Sequence, residues 1–247
     1  FLISSPENRA YYSGFRGSAG YLWITATDSM LATDFRYTEQ AAIQAADYRI
    51  VRIAGGLDWF EEALNESGVR RIGIEDSAMT VSLYNALSTK LKGRNSTPEL
   101  VTTEGVASQL RAVKEPAELE VIQRAIDLAD QAMEAVAAQL QPGLTERDVA
   151  WMLEKSMRES GADALSFETI VASGPNGAKA HHHPSDRKLE LGDGVVIDMG
   201  ALYDGYCSDI TRTFVLGKAS RQFRKIYDIV LAAQEIAEAT ARAGMSG

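Results

Sequence analysis

Apolar residues recur along this chain with two different periods, and the switches between them mark out the elements. Tyr21 to Thr25 and Met30 to Thr33 read as strands joined by Thr27-Asp28-Ser29. Tyr37 to Ala46 reads as a helix and Tyr48 to Ile53 as a further strand. Asp58 to Ser67 is helical and stops at Gly68, Arg71 to Glu75 is a strand, and Val81 to Leu91 is a helix stopped by Gly93. Alternating strand and helix predicts an α/β domain over 1–108. The period lengthens beyond about 108–114. Pro116 suits the first turn of a helix to Gln141, with Leu119, Ile122, Ile126, Ala129, Met133 and Val136 at helical spacing. Pro142-Gly143 ends it, and Thr145-Glu-Arg-Asp148 has the spacing of a capping box opening a second helix to about Ser160. Strands follow from Glu168 and from Val195, then a helix over Arg221 to about Arg242. Residues 109–247 therefore read as an α+β unit.

The hairpin in that second unit is the most informative segment. Val195 to Ile197 read as a buried strand, Tyr206 to Phe214 as its partner, and Asp204-Gly205 between them as a two-residue turn with positive φ at both positions. That turn pairs Tyr203 with Tyr206, Gly200 with Asp209 and Asp198 with Thr211. Asp198 and Asp209 then lie diagonally on one face, roughly 7–8 Å apart at Cα. Two carboxylates so close repel unless something positive lies between them, and a divalent cation held by hard oxygen ligands is the natural candidate. The alternative is a hairpin with an ordinary charged face. A slip of one residue would put the two carboxylates on opposite faces.

Composition narrows the remaining possibilities. The 247 residues are 45% hydrophobic and 24% charged, with a formal net charge of −9. An acidic chain with no basic run suits neither nucleic acid nor an anionic membrane surface, and no segment approaches the ~18 apolar residues of a membrane span. No secretory leader is visible, and the chain opens on Phe1 rather than Met, so a natural start is expected upstream. The single cysteine, Cys207, excludes an internal disulfide and fits a reducing compartment; it reads as a small packing residue or, given a base partner, as a nucleophile. All three histidines are adjacent, His181, His182 and His183, after the turn-forming run Ser173-Gly-Pro-Asn-Gly177. They read either as a solvated polar loop or as imidazoles poised for proton transfer. No P-loop, dinucleotide fingerprint or Gly-x-Ser-x-Gly elbow is present.

Several segments together resemble one family. Val196 to Phe214, with its two aspartates, resembles the signature of the proline-specific metallopeptidases, prolidase and aminopeptidase P, whose pita-bread fold is shared with methionine aminopeptidase and creatinase. Ile170 to Pro184 resembles that family's loop to its active-site histidine, and Leu110 to Glu118 the opening of its catalytic domain. Tyr12 to Gly20 and Thr33 to Gln40 resemble its creatinase-like amino-terminal domain. The resemblance implies a creatinase-like domain at 1–108 and the first half of a pita-bread catalytic domain at 109–247. It implies two divalent ions (manganese, cobalt or zinc) held by two Asp, one His and two Glu, of which Asp198 and Asp209 match the aspartates. His181 matches a histidine that contacts substrate and assists proton transfer without binding metal. Phe167 matches an aromatic position lining the substrate pocket, and Thr211 is placed to support a ligand carboxylate. The implied reaction is hydrolysis of the peptide bond preceding proline, in peptides with proline at the second position, by a cytoplasmic homodimer. A creatinase-like amidinohydrolase, a methionine aminopeptidase and a non-catalytic binding module on the same fold are the alternatives. No histidine follows Asp209, and Glu235 and Glu238, its only downstream glutamates, read as helix surface. The chain is thus expected to be an interior portion of a longer enzyme, inactive by itself.

Overall fold

The short apolar stretches of the amino-terminal half assemble into one mixed sheet because adjacent strand residues bury opposite faces. The computed structural model describes residues 1–92 and 97–246 and divides into two compact units, Phe1–Lys114 and Glu115–Gly247. The first unit runs β1 (Leu2–Ile3), α1 (Pro6–Ser13), β2 (Tyr21–Ile24), β3 (Ser29–Thr33), α2 (Thr38–Gln44), β4 (Arg49–Arg52), α3 (Asp58–Ser67), β5 (Arg71–Glu75), α4 (Val81–Leu91), β6 (Glu99–Thr103) and α5 (Val106–Ala112). The sheet order is β4-β3-β2-β1-β5-β6. Leu2, Trp23, Met30 and Ile74 face one apolar cluster with Trp59, Phe60 and Leu87, whereas Ile3, Leu22 and Leu31 face another with Phe15 and Ala41. Each fully buried side chain of this size contributes about 1.5–3 kcal/mol, so both faces need helical cover. This is the α/β arrangement expected from the alternation of elements. Gly68, at φ 59°, ends α3 by donating its N–H to Leu64 O. Gly93, the expected stop of α4, lies outside the described residues.

The sequence pattern did not reveal β1, α1, β6 or α5. β1 is only two residues long yet lies mid-sheet, antiparallel to β2 and parallel to β5. Its junction with α1 is held by buried Glu75, whose carboxylate accepts from Ser4 N–H at 2.6 Å, Ser5 N–H at 2.9 Å and Asn8 Nδ2 at 2.5 Å.

The second unit opens with α6 (Pro116–Ala137) and α7 (Glu146–Glu159). α6 buries Ala125, Leu128, Ala129, Ala132, Met133 and Val136 but leaves Leu119 and Ile126 exposed, so its apolar stripe is rotated from the expected one, and it ends at Ala137 rather than Gln141. The capping box of α7 is formed: Thr145 Oγ1 accepts from Asp148 N–H and the Asp148 carboxylate accepts from Thr145 N–H. Six strands follow: β7 (Ala164–Leu165), β8 (Ile170–Ser173), β9 (Gly194–Met199), β10 (Ala201–Tyr203), β11 (Tyr206–Cys207) and β12 (Ile210–Val215). They make two three-stranded sheets, β11-β10-β7 and β12-β9-β8, where three strands were expected. α8 (Arg221–Thr240) closes the unit and buries none of its described residues.

Candidate metal centre and histidine loop

The hairpin holds the expected register. Asp204 and Gly205 have φ of 47° and 83°; Tyr203 pairs with Tyr206, Leu202 with Cys207, Met199 with Ile210 and Asp198 with Thr211. β9 lies between β8 and β12, so Asp198 is flanked by Ile170 and Thr211. The expectation of a strand buried throughout needs correcting. Val195, Ile197 and Met199 are fully buried in the core with α6 and α7, while Val196 and Asp198 face the other way, half-buried. That alternation leaves the Asp198 carboxylate on the open face of a strand whose other face is anchored.

Thr211 Oγ1 donates to Asp198 Oδ1 at 2.8 Å and fixes that carboxylate. Asp209 is exposed, in the two-residue gap between β11 and β12, and by strand parity shares the face of Thr211 and Asp198. The gap arises where the two sheets part, at Gly200. A Cβ there would lie 1.9 Å from Ser208 O and 2.2 Å from Ser166 Oγ, so only glycine allows this approach. Ser166 ties the preceding bend down, its N–H donating to Gly200 O at 3.0 Å and its Oγ to Ser208 O at 2.8 Å. Phe167, half-buried, sits next in that bend and not in a strand.

The three histidines take three different places. They follow a 3₁₀ turn at Gly174–Ala178, entered from the end of β8. His181 is exposed. His183 Nδ1 lies 3.2 Å from Glu168 Oε1, both exposed, an arrangement worth little. His182 is 9% exposed and its Nε2 lies 2.7 Å from Oε2 of Glu146, a carboxylate with no exposure at all. Burial opposes ionisation of Glu146, but hydrogen bonds from Ser185, Asn176, His182 and Ser173 overcome it and hold the carboxyl well below the usual range. Arg187 continues the network, donating to Ser173 Oγ at 2.7 Å and to Asp193 Oδ2 at 2.6 Å. Sequence reading missed Glu146. Its position after a capping threonine marks it only as a first-turn acidic residue suited to the helix dipole.

The donor chemistry fits a hard divalent cation at Asp198 and Asp209: two carboxylates that strand parity sets on one face, one steadied by a threonine hydroxyl. They correspond to two of the five ligands that the resemblance implies. Among the described residues, no group of three or more His, Cys, Asp or Glu side chains is placed to hold a metal ion. Also among the described residues, no helix is long and apolar enough to cross a membrane.

Comparison with known proteins follows the same division of the chain. The Creatinase/Prolidase N-terminal domain family matches residues 1–113 and Metallopeptidase family M24 matches residues 120–247. An uncharacterized peptidase of Bacillus subtilis, YqhT, is 39% identical over 247 residues, covering 100% of this chain and 69% of that protein. The structure of an Xaa-Pro dipeptidase from Bacillus anthracis superposes with a TM-score of 0.89 at 38% identity, covering 95% of this chain and 65% of that one. That of an X-Pro aminopeptidase from Thermotoga maritima gives 0.90 at 35% identity, covering 99% and 70%. The chain thus spans about two thirds of the length of these relatives. With a creatinase-type domain ahead of a portion of the pita-bread fold and the aspartate pair in register on its hairpin, the chain belongs to the M24 metallopeptidases, in the branch of prolidase and aminopeptidase P.

Proposed function

We propose that the protein hydrolyses the peptide bond preceding proline, with residues 1–108 as the creatinase-like domain and 109–247 as the first half of the catalytic domain. The observation that carries this reading is the hairpin register, which sets Asp198 opposite Thr211 and so brings Asp198 and Asp209 to one face. Asp198 and Asp209 would hold two divalent ions, manganese, cobalt or zinc. Such ions supply Lewis-acid polarisation of the scissile carbonyl and acidify water. Thr211 orients Asp198 through its hydroxyl. His181, exposed on its loop, donates to and shuttles a proton at the scissile group. Phe167 lines the pocket for the proline ring. An Xaa-Pro amide carries no N–H, so strand-like recognition loses a donor there and a shaped apolar pocket takes its place. The substrates are peptides with proline at the second position, and the enzyme is a homodimer. A lone cysteine suits the cytoplasm.

The test is made on the full-length enzyme, with metal measured beside turnover. Asp209→Asn is expected to lower metal content and abolish cleavage, and matched Xaa-Ala peptides are expected to resist the wild type. Full metal and full turnover in the variant would refute the assignment. Equal cleavage of Xaa-Pro and Xaa-Ala would indicate a general aminopeptidase, and creatine turnover without peptide cleavage an amidinohydrolase.

A further inference from the structure

The buried group that this reaction leaves unused is Glu146, and its two oxygens divide their partners by position along the chain. Oε1 accepts from Ser173 N–H at 2.7 Å, Ser173 Oγ at 2.7 Å and Asn176 Nδ2 at 3.0 Å. Oε2 accepts from Ser185 N–H at 3.0 Å, Ser185 Oγ at 2.6 Å and His182 Nε2 at 2.7 Å, the imidazole donating because an ionised carboxylate only accepts. Ser173 ends β8, and Ser185 lies beyond the histidine run. One carboxylate therefore grips both ends of the segment 173–185, and His181 lies between the grips.

We propose that Glu146 is the positioning residue of the His181 loop: its carboxylate, fixed at the first turn of α7, closes the loop and sets where His181 is presented. The proposal rests on the role given to His181 above. The choice of glutamate follows from the donors. Each oxygen faces a backbone N–H, and backbone donors cannot be turned into acceptors. In a glutamine of the same shape, either orientation of the amide sets its NH₂ against Ser173 N–H or Ser185 N–H. The neutral isostere must release one end of the loop, which a single-ended contact would not require. Arg187 close by, joined to Ser173 Oγ, and the amino end of α7 both favour the charged form.

The experiment uses the full-length, metal-loaded enzyme and compares Glu146→Gln, His181→Ala and the double variant. Hydrogen exchange of peptides covering 174–184 reports the loop without reference to catalysis. Glu146→Gln is expected to speed exchange there by about tenfold or more, the loss of one charge-assisted contact, while β9 and α6 keep their protection and metal content is unchanged. Turnover is expected to fall about tenfold or more with a smaller change in KM, and to fall less than twofold when the same change is made in the His181→Ala background. Unchanged exchange across 174–184 would overturn the proposal, as would losses that multiply in the double variant. If His181→Ala turned over at the wild-type rate, the role of His181 would fail alone, and loop exchange would still decide for or against the grip. Should Glu146→Gln not fold, Ser185→Ala removes one donor to Oε2, keeps the backbone bond and is read in the same way with smaller amplitude.

Discussion

Replacing Gly200 with alanine puts the geometry of the aspartate hairpin under direct strain. The new Cβ would sit 1.9 Å from Ser208 O and 2.2 Å from Ser166 Oγ, where even short carbon–oxygen contacts need roughly 3.3 Å. The strands must part by about 1 Å or more. Three hydrogen bonds lie in the path of that movement: Ser208 N–H to Ala201 O at 2.9 Å, Ser166 N–H to Gly200 O at 3.0 Å and Ser166 Oγ to Ser208 O at 2.8 Å. Losing two or three at about 1 kcal/mol net each, with about 1–3 kcal/mol for overpacking, gives a destabilisation of about 3–6 kcal/mol. For a urea slope of about 2 kcal/mol/M, the unfolding midpoint of the second unit should fall by about 2 M. Circular dichroism, fitted with separate transitions for the two units, measures it. Gly177→Ala is the control. Its Cβ would meet nothing nearer than Ala172 O at 3.7 Å, and its stability should stay within about 1 kcal/mol of the wild type. A Gly200→Ala loss no larger than that of the control would refute the close approach of the two strand pairs.

Acid stability should report Glu146: its folded pKa lies below the unfolded value of about 4.3, so its contribution is present above that value and is lost as the pH falls toward the folded one. The stability gap between wild type and Glu146→Gln should therefore narrow from pH 6 to pH 3 in urea titrations, and a gap independent of pH would contradict it. His181→Ala should slow Xaa-Pro cleavage about 10²-fold without loss of metal; a large fall in metal content would make His181 a ligand. Thr211→Val removes the donor to Asp198 Oδ1 and should weaken divalent-ion affinity about tenfold by calorimetric titration of the full-length enzyme, with an unchanged Kd counting against the supporting role.

The elements that sequence made legible are those whose signals are local. Asp204-Gly205 demands positive φ twice, so the turn sets the register, and the register sets the face of Asp198 and Asp209. Gly68 and the Thr145 capping box announce helix ends through their own backbone chemistry. What sequence concealed depends on partners distant along the chain. β1 is too short to show a period and exists because β2 and β5 hold it from both sides. Helical spacing fixes the period of α6 but not which stripe meets the core, and Leu119, though at that spacing, is exposed. Glu146 gathers donors from 27 to 39 positions away, and no local pattern foretells that. Of the adjacent histidines, only His182 has its imidazole drawn into that buried network, which spacing could not distinguish.

Cys207 turns the hairpin into its own reporter. It is the single cysteine of the sequence, exposed, paired with Leu202, and two positions from Asp209 along the strand direction. Partial burial pushes its thiol pKa up, so a maleimide nitroxide couples best at mildly alkaline pH. Two strand positions span about 7 Å, well inside the reach over which a paramagnetic divalent ion such as manganese quenches a nitroxide signal. One label at Cys207 thus gives a spectroscopic titration of the aspartate pair that needs neither substrate nor turnover.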